Sequence, residues 1–350
     1  MKTGDLLNVV SIGGGTGLAC LLKGLKHSVY EPPIIEAPLR RLWIAGLTAV
    51  VTVSDDGGSS GRLRSELRVL PPGDIRNCMV ALSMDESLLS RLFQYRFAGS
   101  GQLGGHSFGN LFLTALTGIT GDFLSAIRVS SRVLAIRGKI YPATLQDVRL
   151  EAETEDGRRV RGESVISQGK ARIARVSLVP PHCAPVPAVL EAIRKADIVT
   201  VGPGSLYTSL LPNLLVRGVV EEIRRARALK IFIGNLMTQP GETTGMSAAD
   251  HLEAIHRHVG GPLFDGVILN NAPIAGDLLE RYRSQGAEPV RSDLKRIRAM
   301  GLRVLERALL ARGTAVRHDP DRLAETVHYA FRRWRAAAAR NRGGGGSDLS

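Results

Sequence analysis

Residues 6–25 read LLNVVSIGGGTGLACLLKGL, and this stretch decides the fold. The β-branched run at 6–12 predicts a strand, and the apolar spacing from Gly17 to Leu25 predicts a helix. Glycines in the connecting turn let the backbone approach an oxyanion, and the N–H groups at the start of the helix attract it. The turn therefore predicts a phosphate site, and its residues are Gly13, Gly14, Gly15, Thr16 and Gly17.

A second glycine turn repeats this arrangement at residues 202–209, GPGSLYTS, directly after a strand predicted at 197–202. Gly202 and Gly204 supply the backbone freedom, and the hydroxyls of Ser205 and Thr208 can contact phosphate oxygens. Two such turns on one sheet fit a diphosphate held where the strand order reverses. The pair therefore predicts a nucleotide site. The first turn is not a P-loop, because no Gly-Lys-Ser/Thr follows it.

The remaining pattern predicts an α/β fold, in which strands at 47–53, 230–235 and 266–271 alternate with helices. The predicted helices lie at 87–97, 110–118, 186–196, 212–228 and 247–259. We predict a doubly wound, Rossmann-like and mostly parallel sheet of at least five strands. Residues 1–136 and 184–318 would form one interleaved core.

Three segments are expected to lie outside that core. Residues 137–183 alternate polar and apolar side chains around Asp156-Gly157, which predicts a small antiparallel β insertion. Residues 319–342 predict a basic amphipathic helix that docks through one apolar face. The glycine-rich tail at 343–350 is expected to be disordered, and the proline-containing stretch at 31–46 to be a surface excursion. The residues of the docking face are Leu323, Val327, Ala330, Phe331 and Trp334.

The net charge of +13 is unevenly distributed, because residues 291–342 hold 14 Lys/Arg against 5 Asp/Glu. Aromatic residues make up only 5% of the chain and do not interleave with the basic ones, so nucleic-acid binding is not expected. No run reaches the ~18 apolar residues of a membrane span, and no signal peptide is recognised. Three separated cysteines without a CxxC spacing favour a reducing cytoplasm over disulfides or zinc.

Polar candidates follow the strand predicted at 47–53. Asp55 and Asp56 are adjacent carboxylates at a sheet edge, suited to a cation, a ribose hydroxyl or a substrate proton, with a capped polar turn as the alternative. Farther on, Asp74 stands before Arg76 and Asn77, which suits either an ion pair or a phosphate contact.

Two further polar segments extend this set of candidates. His106 and Asn110, in GHSFGN, are either ligand contacts or structural residues at a helix start. Asn235 opens the polar run NLMTQPGET at a predicted strand end, where it could line the pocket.

Six motifs follow one another along the chain: GGGTG, VSDDGGSSGRLR, PPGDIRN, GHSFGN, GPGSLYTSLLPNLL and GNLMTQPGETTG. Together they resemble the bacterial gluconeogenesis factor family, also called YvcK-like, over residues 8–327. This family is similar in fold to 2-phospho-L-lactate transferase, or CofD, which transfers a phospholactyl group from a guanosine diphosphate donor to a deazaflavin.

The resemblance implies a cytoplasmic regulator of cell shape, cell-wall morphogenesis and growth on gluconeogenic carbon sources. It implies a UDP-sugar ligand such as UDP-N-acetylglucosamine, no required cofactor, and cell-wall or signalling proteins as partners, with homo-oligomerisation open. By motif order, Tyr282 and Arg317 match the residues that hold the UDP-sugar in such regulators. The ring would stack on uracil and the guanidinium would bridge the diphosphate.

Two enzymatic alternatives remain. In a phospholactyl-transferase-type enzyme, Asp55 and Asp56 would be the catalytic candidates and would hold Mg²⁺ against a nucleoside diphosphate donor. No residue obviously recognises a deazaflavin, so this hypothesis ranks second. A dinucleotide-dependent oxidoreductase rests on the first glycine turn alone and lacks an acidic residue about 20 positions on.

Overall fold

A seven-stranded parallel sheet forms the centre of the described part of the chain. The structure, a computed structural model, describes residues 6–30, 43–84, 88–169 and 171–343, with side chains to residue 336. The sheet order is β10-β9-β8-β7-β1-β2-β3, and every neighbouring pair is parallel. The strands are β1 (Leu7–Gly13), β2 (Ile44–Val51), β3 (Lys139–Pro142), β7 (Ile198–Val201), β8 (Leu229–Ile233), β9 (Gly266–Asn270) and β10 (Arg303–Arg307).

The hydrophobic pattern explains why β1 is central. Val9, Val10 and Ile12 are almost fully buried, as expected for a strand covered on both faces. From β1 the chain runs outward through β2 to β3 on one side, and later from β7 to β10 on the other. The order therefore reverses between β1 and β7, which confirms the predicted doubly wound α/β fold.

Helices connect these strands. In chain order they are α1 (Gly15–Leu25), α2 (Gly58–Leu67), α3 (Gly73–Leu82), α4 (Leu88–Gln94), α5 (Phe108–Thr120), α6 (Phe123–Val133), α7 (Glu163–Gln168), α8 (Pro187–Arg194), α9 (Leu211–Leu214), α10 (Val219–Arg225), α11 (Ala248–Val259), α12 (Gly276–Arg283), α13 (Leu294–Ala299) and α14 (Pro320–Gly343). Among the described residues, no helix is both long and apolar enough to cross a lipid bilayer.

The prediction of one continuous helix at 212–228 is wrong. A π-helical turn, Leu206–Leu210, leads into the short α9, and α10 begins only at Val219. Gly218 precedes α10 with φ +83°, a left-handed conformation that ends the preceding turn and redirects the chain.

The predicted β insertion is confirmed in kind and corrected in extent. Its three antiparallel strands have the order β5-β4-β6 and are β4 (Arg149–Thr154), β5 (Arg159–Arg161) and β6 (Ile173–Val179). The predicted hairpin turn contains Gly157 at φ +81°. The insertion was predicted to begin at residue 137, but β3 pairs in parallel with β2 and is the edge strand of the main sheet.

The carboxyl-terminal helix docks as predicted, through an apolar face. Pro320, at its start, packs so closely on Gly24 of α1 that a Cβ there would lie 2.5 Å from the Pro320 carbonyl carbon. Of the other predicted segments, residues 31–42 of the excursion, Ser87 of the predicted helix and residues 344–350 of the tail lie outside the described residues. The docking residues are all at least nine-tenths buried, and they are Leu323, Val327, Ala330, Phe331 and Trp334.

Candidate functional site

A cavity of about 890 Å³ opens at the carboxyl ends of β1 and β7, where the strand order reverses. Its volume lies within the range of small-molecule sites. Ten of the predicted site residues line this cavity: Gly14, Gly15, Thr16, Gly17, Asn77, Gly204, Ser205, Asn235, Tyr282 and Arg317.

The two glycine turns touch each other in this cavity. A Cβ on Gly17 would lie 2.7 Å from the carbonyl carbon of Pro203, so only glycine allows the contact. Beneath the turns, the Asn213 side-chain amide donates to the carbonyl oxygens of Gly13 and Ser209, at 2.9 and 2.7 Å. These bonds fix the two turns relative to one another, and the N–H groups at the start of α1 lie beside the second turn.

The polar run after β8 supports the second turn. The Asn235 side chain accepts a hydrogen bond from the Gly204 N–H and donates one to the Gly204 carbonyl oxygen, at 3.1 and 2.8 Å. Gln239 donates to the Ser205 hydroxyl at 2.7 Å, while its own side-chain oxygen is buried without a partner. Asn235 therefore acts on the turn as well as lining the cavity, and Gln239, from the same predicted polar run, lines it too.

Tyr282 and Arg317 both line the cavity, although Tyr282 stands 34 positions before Val316, the residue next to Arg317 to which it is hydrogen-bonded. The Tyr282 hydroxyl accepts a hydrogen bond from the Val316 N–H at 3.1 Å, which fixes the ring against this segment. Arg317 is exposed, and its side chain has no hydrogen bond or ion pair with a described residue. Beside it, burial lowers the pKa of His318 to about 4, so this imidazole is neutral at pH 7.

The charge of the lining is one-sided. No aspartate or glutamate contributes to the lining among the residues that the structure describes. Such a surface attracts anions. Sequence reasoning missed most of these cations because they lie on helices that meet only in the folded chain. The six basic lining residues are Lys23, Lys26, Arg76, Arg91, Arg96 and Arg317.

Carboxylates gather behind the first turn instead. Burial raises the pKa of Asp55, and also the pKa of Glu163 on α7, which the charge of Asp55 raises further. Asp56 accepts a hydrogen bond from the Ser164 N–H at 2.9 Å, which ties the loop after β2 to the insertion. Burial also raises the pKa of Glu242, which accepts hydrogen bonds from Ser167 and Thr208.

The adjacent carboxylates proposed for Mg²⁺ face different groups. Asp55 accepts from the Gly57 N–H at 2.8 Å, whereas Asp56 is bonded to α7. Within the ranges that the structure describes, no group of three or more His, Cys, Asp or Glu residues is placed to hold a metal ion. Neither carboxylate lines the cavity directly. Water and phosphate oxygens would have to supply the further ligands, since Mg²⁺ favours octahedral oxygen coordination.

Asp74 lies directly against the first turn. Its Oδ2 would be 2.5 Å from a Cβ on Gly14. Burial raises its pKa from 3.8 to about 6, although hydrogen bonds from the Gly15 N–H and the Asn77 side chain oppose the shift. The carboxylate thus places a negative charge at the predicted phosphate site above pH 6 and loses it below.

We predict that Asp74→Asn stabilises the protein at pH 7.5. The folded-state pKa exceeds the unfolded one, so ionisation costs up to about 3 kcal/mol above pH 6 and nothing below about pH 4. After the lost hydrogen bonds are subtracted, we expect a gain of about 1–2 kcal/mol that disappears towards pH 4. Urea denaturation at pH 7.5 and 4.5 measures it, with the exposed Asp277→Asn as the control. Equal effects of the two variants at both pH values would contradict the prediction.

Besides Asp55, Asp56 and Asp74, five predicted site residues lie outside the cavity lining. His106 and Asn110 join a buried network, in which the Ser59 hydroxyl lies 3.0 Å from His106 Nδ1 and 3.1 Å from Asn110 Nδ2. Thr208 donates to Glu242 at 3.1 Å. Gly13 is the last residue of β1, and Gly202 directly follows β7. The structure thus places these five as supports of the turns and helices around the cavity.

These features define an α/β protein with an anion-attracting crevice at the switch point of a doubly wound sheet. The sequence profile of the family described as "2-phospho-L-lactate transferase CofD" matches residues 9–310. The chain belongs to this CofD family.

Relatives of known name cover nearly the whole chain. A protein of Bacillus subtilis (strain 168) named "Gluconeogenesis factor" is 46% identical over 93% of this chain and 98% of its own length. A protein of Listeria innocua with the same name is 43% identical, over 91% of this chain and 94% of its own. A crystal structure of a UPF0052-family member from Bacillus halodurans superposes with a TM-score of 0.85 at 45% identity, covering 92% of this chain and 99% of that one.

Proposed function

We propose that this chain is a cytoplasmic sugar-nucleotide-binding regulator that links gluconeogenic carbon supply to cell shape and cell-wall formation. The observation that carries the proposal is the meeting of two glycine turns with Tyr282 and Arg317 in one cavity whose charged lining is entirely basic within the described residues. The name of the Bacillus subtilis relative supports the metabolic part.

The ligand we infer is a UDP-sugar such as UDP-N-acetylglucosamine. Its diphosphate would lie on the N–H groups of the first turn beside Gly204 and Ser205, with the Arg317 guanidinium as a bidentate partner. Its base would stack on the Tyr282 ring. The function needs binding and a response to it, and requires no chemical step.

The proposal is tested by calorimetric titration with UDP-N-acetylglucosamine, UDP-glucose, GDP and NAD. We expect selective UDP-sugar binding that Arg317→Ala weakens about 10- to 100-fold, the worth of a charge-assisted pair of hydrogen bonds. The matched control is Arg312→Ala, an exposed arginine of the same loop that does not line the cavity. Failure of every UDP-sugar to bind the unmodified protein would refute the proposed function.

A phosphoryl-transfer enzyme of the CofD kind is the second candidate. The observation that favours it is the cluster of buried carboxylates at Asp55, Asp74 and Glu163. Burial raises the pKa of each, the charge of Asp55 raises those of Asp74 and Glu163 further, and Mg²⁺ would relieve this charge. In the same titration, GDP binding that requires Mg²⁺, is lost in Asp55→Ala and is unaffected by Arg317→Ala would favour the transferase. UDP-sugar binding that is equal with and without Mg²⁺ would favour the regulator.

A further inference from the structure

The cavity extends away from the glycine turns towards α3 and α4, and this arm is built around Arg76. The Arg76 side chain lines the cavity but is only 7% exposed. Its stem is fixed, because a Cβ on Gly109 of α5 would lie 2.9 Å from both its Cγ and its Cδ. The guanidinium is therefore presented at the cavity wall by a stem that packs on α5.

The protein leaves most donors of this guanidinium unused. One Nη donates to the Asn77 side-chain oxygen at 2.7 Å, and Nε is buried without a partner. No carboxylate forms an ion pair with Arg76 among the described residues, so the ion pair with Asp74 that the sequence allowed does not form. The charges of Asp74 and Asp55 act on Arg76 without a direct ion pair, and a bound anion would supply the direct partner that this buried guanidinium lacks.

Two more arginines surround the same arm. Arg91 on α4 and Arg96 just beyond it also line the cavity. Burial, and then the charge of Arg96, lower the pKa of Arg76, which places the two guanidinium groups within electrostatic reach of each other. Like charges held together around a cavity favour an anion between them.

We propose that Arg76, Arg91 and Arg96 form a second anion subsite, separate from the glycine turns, that binds a carboxylate or phosphate group. The group is carried either by the sugar of the bound nucleotide or by a second small molecule. The inference rests on the proposed sugar-nucleotide site for the placement of the first anion. The new element is a bound anionic group in addition to the diphosphate of the nucleotide.

The test compares UDP-glucose with UDP-glucuronate, which differ by one carboxylate, and adds inorganic phosphate with and without saturating UDP-glucose. Calorimetry is run on the unmodified protein, Arg76→Gln, Arg91→Gln and the control Arg225→Gln, an exposed arginine on α10 outside the cavity. Arg91 is exposed, so its variant tests the subsite even where Arg76→Gln fails to fold.

If the nucleotide carries the anionic group, we expect UDP-glucuronate to bind at least about 10-fold more tightly than UDP-glucose, the worth of one charge-assisted hydrogen bond. This preference should be lost in Arg76→Gln and Arg91→Gln and kept in Arg225→Gln. If a second molecule carries the group, we expect phosphate to bind the protein that is already saturated with UDP-glucose. Phosphate should then bind the two cavity variants about 10-fold more weakly than the unmodified protein.

The subsite is overturned if UDP-glucose binds but neither the glucuronate preference nor phosphate binding depends on Arg76 or Arg91. If no UDP-sugar binds and phosphate binding still depends on these arginines, the proposed function fails and the subsite stands.

Discussion

Gly17→Ala is expected to weaken nucleotide binding about 100-fold or more, equivalent to about 2.8 kcal/mol. The added Cβ would lie 2.7 Å from the carbonyl carbon of Pro203. Because that carbon belongs to the backbone, no side-chain rotation can relieve the clash. The two glycine turns must separate, which removes the arrangement of N–H groups that we assign to the diphosphate. Overpacking of this kind should also lower the free energy of unfolding by about 2–3 kcal/mol. Calorimetry and urea denaturation measure the two effects.

The matched control is Gly118→Ala, the same substitution inside α5. A Cβ there meets no atom within 4 Å, so alanine should stabilise the helix by about 0.5–1 kcal/mol and leave binding unchanged. If Gly17→Ala binds UDP-sugars as tightly as Gly118→Ala does, the turns do not form the phosphate site.

Trp334→Ala is expected to cost about 3–5 kcal/mol of stability, the usual range for a large buried aromatic residue. The Trp334 ring packs on the backbone of Gly266 at the start of β9, where a Cβ would lie 2.6 Å from ring atom Cζ3. Removal of the ring leaves a cavity between α14 and the sheet. Urea denaturation of the purified variant measures the loss.

Tyr329→Ala on the same helix is the control. Tyr329 is 43% exposed, and its ring lies under the Arg307 guanidinium, 4.6 Å from the centroid. Loss of an exposed cation–π contact should cost no more than about 1 kcal/mol. Comparable losses in both variants would contradict the prediction.

The sequence predicted those parts of the fold and site in which local pattern and function coincide. Each glycine turn was recognisable because it follows an apolar strand and precedes a helical stretch, and the reversal of strand order between β1 and β7 brings both to one crevice. The docking face of α14 was recognisable from helical spacing alone.

Other parts required tertiary information. The alternation in residues 139–142 is the same for a parallel edge strand as for an antiparallel hairpin, so β3 was assigned to the insertion although it pairs with β2. The cationic arm was missed because Arg91 and Arg96 lie in a segment without any glycine motif and reach Arg76 only through packing of α3, α4 and α5. His106 and Asn110 belong to a conspicuous motif, yet their side chains bond inside the protein.

The contact between Pro320 and Gly24 also has a consequence for biosynthesis. The cavity wall includes Gly14 near the beginning of the chain and His318 and Pro320 some 300 residues later. A nascent chain emerging from the ribosome can build β1 and the first glycine turn early, since domains fold progressively during translation. It cannot complete the cavity until Pro320 has left the exit tunnel. Ligand capture is therefore expected only after most of translation is finished, so a fragment stalled before α14 should not compete for the metabolite.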